Sequence, residues 1–257
     1  MRSILTIAKK DFETLVLSPL FMILATLCTS LWSFNYLRSL FTFVAKIGAP
    51  ASPFGGGAGG QNIYRSVFFE HIGGINLLLI FIVPAITMRL LAEEKKMRTF
   101  DLLLTSPITS TDIAVGKFLA GWGAGSVLVL LSFLYPMGTG VFAEFQWGTL
   151  ITAYAGVVML TALYVGVGLF ASSLTESVML AVVMGLIFNL LLWFVSQAGS
   201  LSDAPMYQAV MEQMSLGQNF VSFLKGTIRI SSVAFFVTAT ALFVFLTQRM
   251  VETARWR

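Results

Sequence analysis

Residues 93–107 read EEKKMRTFDLLLTSP, and a long apolar run stands on either side of them. A connection that merely turned the chain back would use about four to six residues. Here the polar stretch and its sequel continue from Arg89 to Asp112. The extra length is available for a structure of its own.

Read as a helix, residues 93–104 give water a charged face formed by Glu93, Lys96 and the Arg98–Asp101 stretch. Met97, Phe100, Leu103 and Leu104 then lie against membrane or protein. Thr105, Ser106 and Pro107 end it, and Thr109 to Asp112 supply a cap for the next helix, whose first turns hold Gly116 and Lys117. A short helix lying across the membrane surface is something a soluble partner can push. The same residues also read as a solvated turn with no partner.

Outward from this stretch the chain is oily: of 257 residues, 57% are hydrophobic and 11% charged. Soluble domains carry roughly 25% charged residues, so this composition belongs to a membrane protein. A crossing needs about 20 mainly apolar residues, and six runs of that kind fall at about 17–36, 72–91, 113–141, 149–171, 178–197 and 230–248. The expected fold is all-α and polytopic, six transmembrane helices forming one domain over residues 1–257. Pro136 gives the long third crossing a natural place to kink.

Before the first crossing, Ile4, Leu5, Ile7, Ala8, Phe12, Leu15 and Val16 recur on one helical face, and Lys9, Lys10, Asp11 and Glu13 rule out a signal peptide. Residues 1–16 therefore read as an amphipathic helix lying in the interface. With the N-terminus inside, most of the 16 Lys and Arg residues fall on the cytoplasmic side, leaving Arg38, Lys46, Arg65, Lys225 and Arg229 outside. Both termini are thus expected in the cytoplasm. The net charge of +4 is scattered at the ends of apolar runs instead of gathered on one face, which points to lipid headgroups and not to nucleic acid.

On the outer side, residues 48–60 (GAPASPFGGGAGG) read as a flexible loop. Residues 205–226 read as a helix or broken helix at the outer interface, either covering the mouth of a pathway or serving as a connector. Gly121, Gly125, Gly166 and Gly168 suit close helix packing first and a subunit contact second. No internal repeat is visible.

Little here suits catalysis. His71 is the only histidine, placed at headgroup level beside Glu70, and neither HExxH nor GxSxG occurs, so no metal site or nucleophile elbow is expected. Replacing His71 would test an intramembrane hydrolase. Cys28 stands alone in an apolar run. The middles of the crossings hold no Asp, Glu, Lys or Arg, which argues against proton coupling; Asn76 and Asn189 are the strongest polar candidates for a pathway.

The segment AEEKKMRTFDLLLTSPITSTDIAVGKFLAG resembles the signature of type-2 ABC exporter permeases: acidic pair, basic pair, Thr, acidic residue, Leu-Leu, Thr-Ser-Pro, then Gly-Lys-Phe. GLFASSLTES (168–177) and SLGQNFVSFLKGTIRISSVAFF (215–236) look like the gliding-motility-associated permeases and their relatives in nitrous oxide reductase maturation. Two departures stand out: a Gly is usual where Arg98 precedes Thr99, and Glu is commoner than Asp101, so a more continuous helix is expected here.

The resemblance implies a bacterial inner-membrane permease subunit that pairs with a second copy and with separately encoded ABC ATPases, and leaves room for an external auxiliary protein. ATP and Mg belong to those partners, since no GxxxxGK[ST] occurs and Gly116-Lys117 is followed by Phe118. It marks Glu93, Glu94, Lys95, Arg98, Thr99, Asp101 and Leu104 as the coupling helix that meets the ATPase. The other reading is a scaffold that passes ATPase motion to gliding or envelope machinery without moving a solute.

Overall fold

A computed structural model describes residues 2–48, 62–100, 105, 108–198 and 215–255. Eight α-helices account for most of them, and no strand occurs among the described residues. They are α1 (Arg2–Val16), α2 (Pro19–Gly48), α3 (Phe69–Lys96), α4 (Ser110–Thr139), α5 (Trp147–Leu174), α6 (Val178–Ala198), α7 (Leu216–Leu224) and α8 (Ile230–Arg255). A π-helical turn, Tyr64–Phe68, leads directly into α3. Six of the helices, α2 to α6 and α8, are long and apolar enough to cross a membrane.

Burial decides the layout. Of the most apolar stretch of α5, 72% is buried, against 17% for α6 and 22% for α2 and α8, so α5 is the axis on which α3, α4, α6, α7 and α8 pack, with α1 and α2 outside them. Glycine sets how closely they approach. A Cβ on Gly125 would stand 2.6 Å from the Thr161 methyl of α5, and one on Gly121 would meet Leu90 and Val165 at 3.0 Å. Gly168 lies so near Thr87 of α3 that no side chain fits, and Gly166 faces Phe243 of α8 at ordinary contact distance. All four glycines therefore seat helices of one chain against each other.

The N-terminal helix does more than rest on a surface. Gly116 and Gly123 open the side of α4, and Ile7 and Phe12 of α1 fill the space, their atoms 2.9 and 3.0 Å from where a Cβ would sit. Its charged residues Lys9, Lys10 and Glu13 remain exposed. Pro84 and Pro136 lie within α3 and α4, which continue through them.

At the far end from α1, part of the segment expected at the outer interface forms α7. Leu216, Phe220, Phe223 and Leu224 of α7 are buried, with the Phe223 ring against Gly156 of α5. The helix is tucked among α5, α6 and α8, because its apolar face finds protein. The Tyr64 hydroxyl donates to Leu224 O at 2.6 Å and fixes its last turn. Residues 205–214 and the Gly-rich loop 49–60 lie outside the described residues.

His71 is 1% exposed, with its ring edge-on to Tyr36 and Tyr135 and its Nε2 3.3 Å from Ser132 O. Tyr154 donates to the same Ser132 carbonyl. The side chain belongs to a buried aromatic cluster, because α2 and α4 close over it.

Candidate functional site

The C-terminal ends of α3, α5 and α8 meet the N-terminal ends of α4 and α6 beside α1 at one end of the bundle. Glu93, Glu94 and Lys95 belong to the last turn of α3, not to a separate helix. The chain turns at Met97 to Thr99, resumes helical conformation at Phe100, and Phe100 is buried. Asp101 and Leu104 lie outside the described residues.

Arg98 makes that turn. Its φ is +56°, and the amides of Arg98 and Thr99 donate to Lys95 O at 3.1 Å and Glu94 O at 3.0 Å. This is the hydrogen-bond pattern of a Schellman C-cap, whose left-handed position favours glycine. The end of α7 shows it with glycine in place: Gly226 has φ +75°, and Gly226 and Thr227 donate to Phe223 O and Ser222 O. The expectation that Arg98 would make the helix more continuous is therefore overturned. The last carbonyls of α3 still need donors, and the cap satisfies them even with a side chain present.

Around this turn, side chains tie four helices together. Lys117 of α4 is 1% exposed, yet its Nζ lies 2.7 Å from Glu94 Oε1 and 3.0 Å from Asp11 Oδ2, so one buried cation joins α1, α3 and α4. Glu93 is held by Arg89 one turn earlier, at 2.8 Å. Lys95 reaches across to donate to Ser173 O of α5 and lies over the Phe100 ring at 5.6 Å. The Ser172 hydroxyl accepts from Ala92 N at 2.9 Å and donates to Met88 O at 3.3 Å, bracketing one rung of α3. The start of α4 is fixed by a capping box: Thr109 Oγ1 accepts from Asp112 N at 3.1 Å, and Asp112 Oδ2 accepts from Thr109 N at 3.2 Å.

Beside these bonds lies an open cleft of about 1250 Å³. Lys96, Arg98 and Phe100 form one wall, Thr175 and Glu176 of the α5–α6 turn another, and Met250 at the end of α8 a third. Lys96 and Arg98 are exposed and make no ion pair among the described residues, while Thr99, also exposed, bonds back to Glu94 O. The exposed set that a partner could touch is thus narrower than the acidic and basic pairs suggest. The second wall was not expected as a contact from sequence, although the GLFASSLTES stretch (168–177) contains both of its residues.

The polar residues proposed for a pathway have separate settings. Asn76 Oδ1 accepts from the Tyr164 hydroxyl at 2.9 Å, joining α3 to α5. Asn189 of α6 is fully buried, and its amide has no partner among the described residues.

Six apolar helices with a tied cluster of charged side chains at one end define a multi-pass membrane protein. The model of the ABC-2 family transporter protein matches residues 5–251, and the chain belongs to that family. It is therefore a membrane permease component of an ABC transporter, a class that works with ABC ATPase subunits and is generally non-catalytic. None of the curated proteins matches the chain.

Proposed function

We propose that this chain is the exporter permease that an ATPase drives from the end holding Lys117, and that this end faces the cytoplasm of a bacterial inner membrane with both termini. The supporting observation is the linkage itself: the end of α3, the start of α4, α1 and the end of α5 are joined by named side-chain bonds. A push on the turn at Met97–Thr99 is then felt by four helices together. Coupling requires that contacts differ between two states, and a tied cluster lets one contact bias several crossings.

On this reading, Lys96, Arg98, Thr99 and the cleft wall at Glu176 meet the ATPase, with Asp101 and Leu104 beyond them. Glu93, Glu94 and Lys95 carry the motion inward. Two copies would form the pathway, with the exposed apolar stripes of α2 and α6 (Leu27, Leu31 and Phe34; Val183, Ile187 and Leu191) available for pairing. ATP and Mg are bound by the ATPases. Cargo with a hydrocarbon part suits crossings of this apolar character, and an external auxiliary protein and membership of the gliding-motility group remain part of the same proposal.

The test is a double charge reversal, Lys96→Glu with Arg98→Glu. Recovery of the cognate ATPase with the membrane complex is expected to fall, together with ATP-dependent export from vesicles. Unchanged recovery and export would overturn this reading. ATPase activity with no solute crossing in vesicles would favour the scaffold instead.

A further inference from the structure

The opposite end of the bundle holds two adjoining cavities that the motion of the charged end does not use. One, of about 590 Å³, is lined by Thr42, Lys46, Asn62, Arg65, Ser66 and Glu70, between the end of α2 and the start of α3. The other, of about 750 Å³, is walled chiefly by Tyr64, Phe69, Phe145, Val221 and Leu224, with Glu144 and Lys225 at its rim. Asn62 and Arg65 line both, so the polar and apolar spaces stand side by side.

The shared wall is built with some care. Tyr64 and Arg65 lie in the π-helical turn Tyr64–Phe68, a rare conformation that recurs at functional sites. Tyr64 is fixed by its bond to Leu224 O, and its amide accepts no freedom either, donating to Asn62 Oδ1 at 3.0 Å. Among the described residues neither Arg65, Lys46 nor Lys225 forms an ion pair, whereas Glu70 is already held by the Ser39 hydroxyl at 2.8 Å. Phe69, on the apolar wall, is also 41% exposed, so that cavity reaches the face of the bundle that lipid would cover.

We propose that these adjoining cavities together bind one phospholipid molecule from the leaflet at this end. Its phosphate sits between Arg65 and Lys46, where the guanidinium offers paired donors and Ser66 and Thr42 add hydroxyls. Glu70 lines the same polar cavity and accepts a headgroup amine through the oxygen that Ser39 does not hold. The first segment of an acyl chain lies against Tyr64, Phe69 and Phe145. An ion alone would leave the apolar cavity unfilled, and a tail alone would leave Arg65 without an anion.

The site is independent of the ATPase contact, so its test does not depend on transport. Binding of radiolabelled phosphatidylethanolamine to the purified full-length chain in detergent is measured against two competitors: diacylglycerol, which has the tails without the phosphate, and glycerophosphoethanolamine, which has the headgroup without the tails. Both are expected to compete poorly, and Arg65→Gln is expected to weaken binding about tenfold, the loss of one charge-assisted hydrogen bond. Should that variant not elute as a folded species, Lys46→Gln with Ser66→Ala carries the same expectation. Equal competition by diacylglycerol, equal competition by glycerophosphoethanolamine, or full affinity in a folded Arg65→Gln chain would each overturn the proposal.

Discussion

The Lys117 ammonium and the Glu94 carboxylate stand 2.7 Å apart, with the cation 1% exposed and Asp11 closing on its other side. A buried charge is tolerated only when paired, and removing one partner of such a set leaves the rest uncompensated. Lys117→Ala is therefore expected to lower stability by about 3–5 kcal/mol. Asp11→Asn should cost less, because Lys117 keeps Glu94. Thermal unfolding of the purified chain in detergent ranks the two, and an Asp11→Asn chain weaker than Lys117→Ala would contradict the geometry.

Arg98 pays for its left-handed backbone with strain that glycine does not have, roughly 1–2 kcal/mol for an L-residue. Arg98→Gly should stabilise the turn by about 1 kcal/mol relative to Arg98→Ala, which loses the same charge but keeps the Cβ. Comparing the two variants by unfolding separates backbone strain from charge. Equal stability would show that φ at this position is not constrained as described.

Among the glycines the geometry sorts positions that sequence treats alike. A side chain at Gly168 runs into Thr87, and Gly168→Val should cost about 1–3 kcal/mol through overpacking. Nothing lies within 4 Å of a Cβ at Gly73, also within α3. Gly73→Ala should be neutral or gain up to about 1 kcal/mol from helix propensity. Expression level and unfolding temperature check both.

Ser172→Ala removes both hydrogen bonds to the Met88–Ala92 rung, a loss of about 1 kcal/mol in stability. If α5 follows α3 through this bracket, export in vesicles should fall by more than that stability change explains, while recovery of the ATPase stays level. A matched fall in both would assign Ser172 to docking and not to transmission.

The six crossings, the capping box at Thr109 and Asp112, and the apolar face of α1 could be read directly from residue order. Each rests on a local cause: length of an apolar run, a side chain three positions from an amide, a repeat at helical spacing. The family signature in residues 92–121 was legible for the same reason, since it is contiguous. Other features were not, because their causes lie far apart in the chain. Glu93, Glu94 and Lys95 look equivalent in the string, yet one pairs with Arg89, one enters a buried cluster with Asp11 and Lys117, and one crosses to Ser173. His71 and the α7 segment are polar or amphipathic by themselves, and their burial against α2, α4 and α5 could not be read from residue order.

Sequence by itself thus determined that the chain is a bundle of membrane-crossing helices and where its charged stretch between the second and third crossings lies, because hydrophobic length and capping act within a few residues. Tertiary structure alone decided which of that stretch's charges face outward and which lock helices together. That choice depends on which helix ends the close glycine contacts bring within a few ångströms of one another, and no spacing along the chain encodes it.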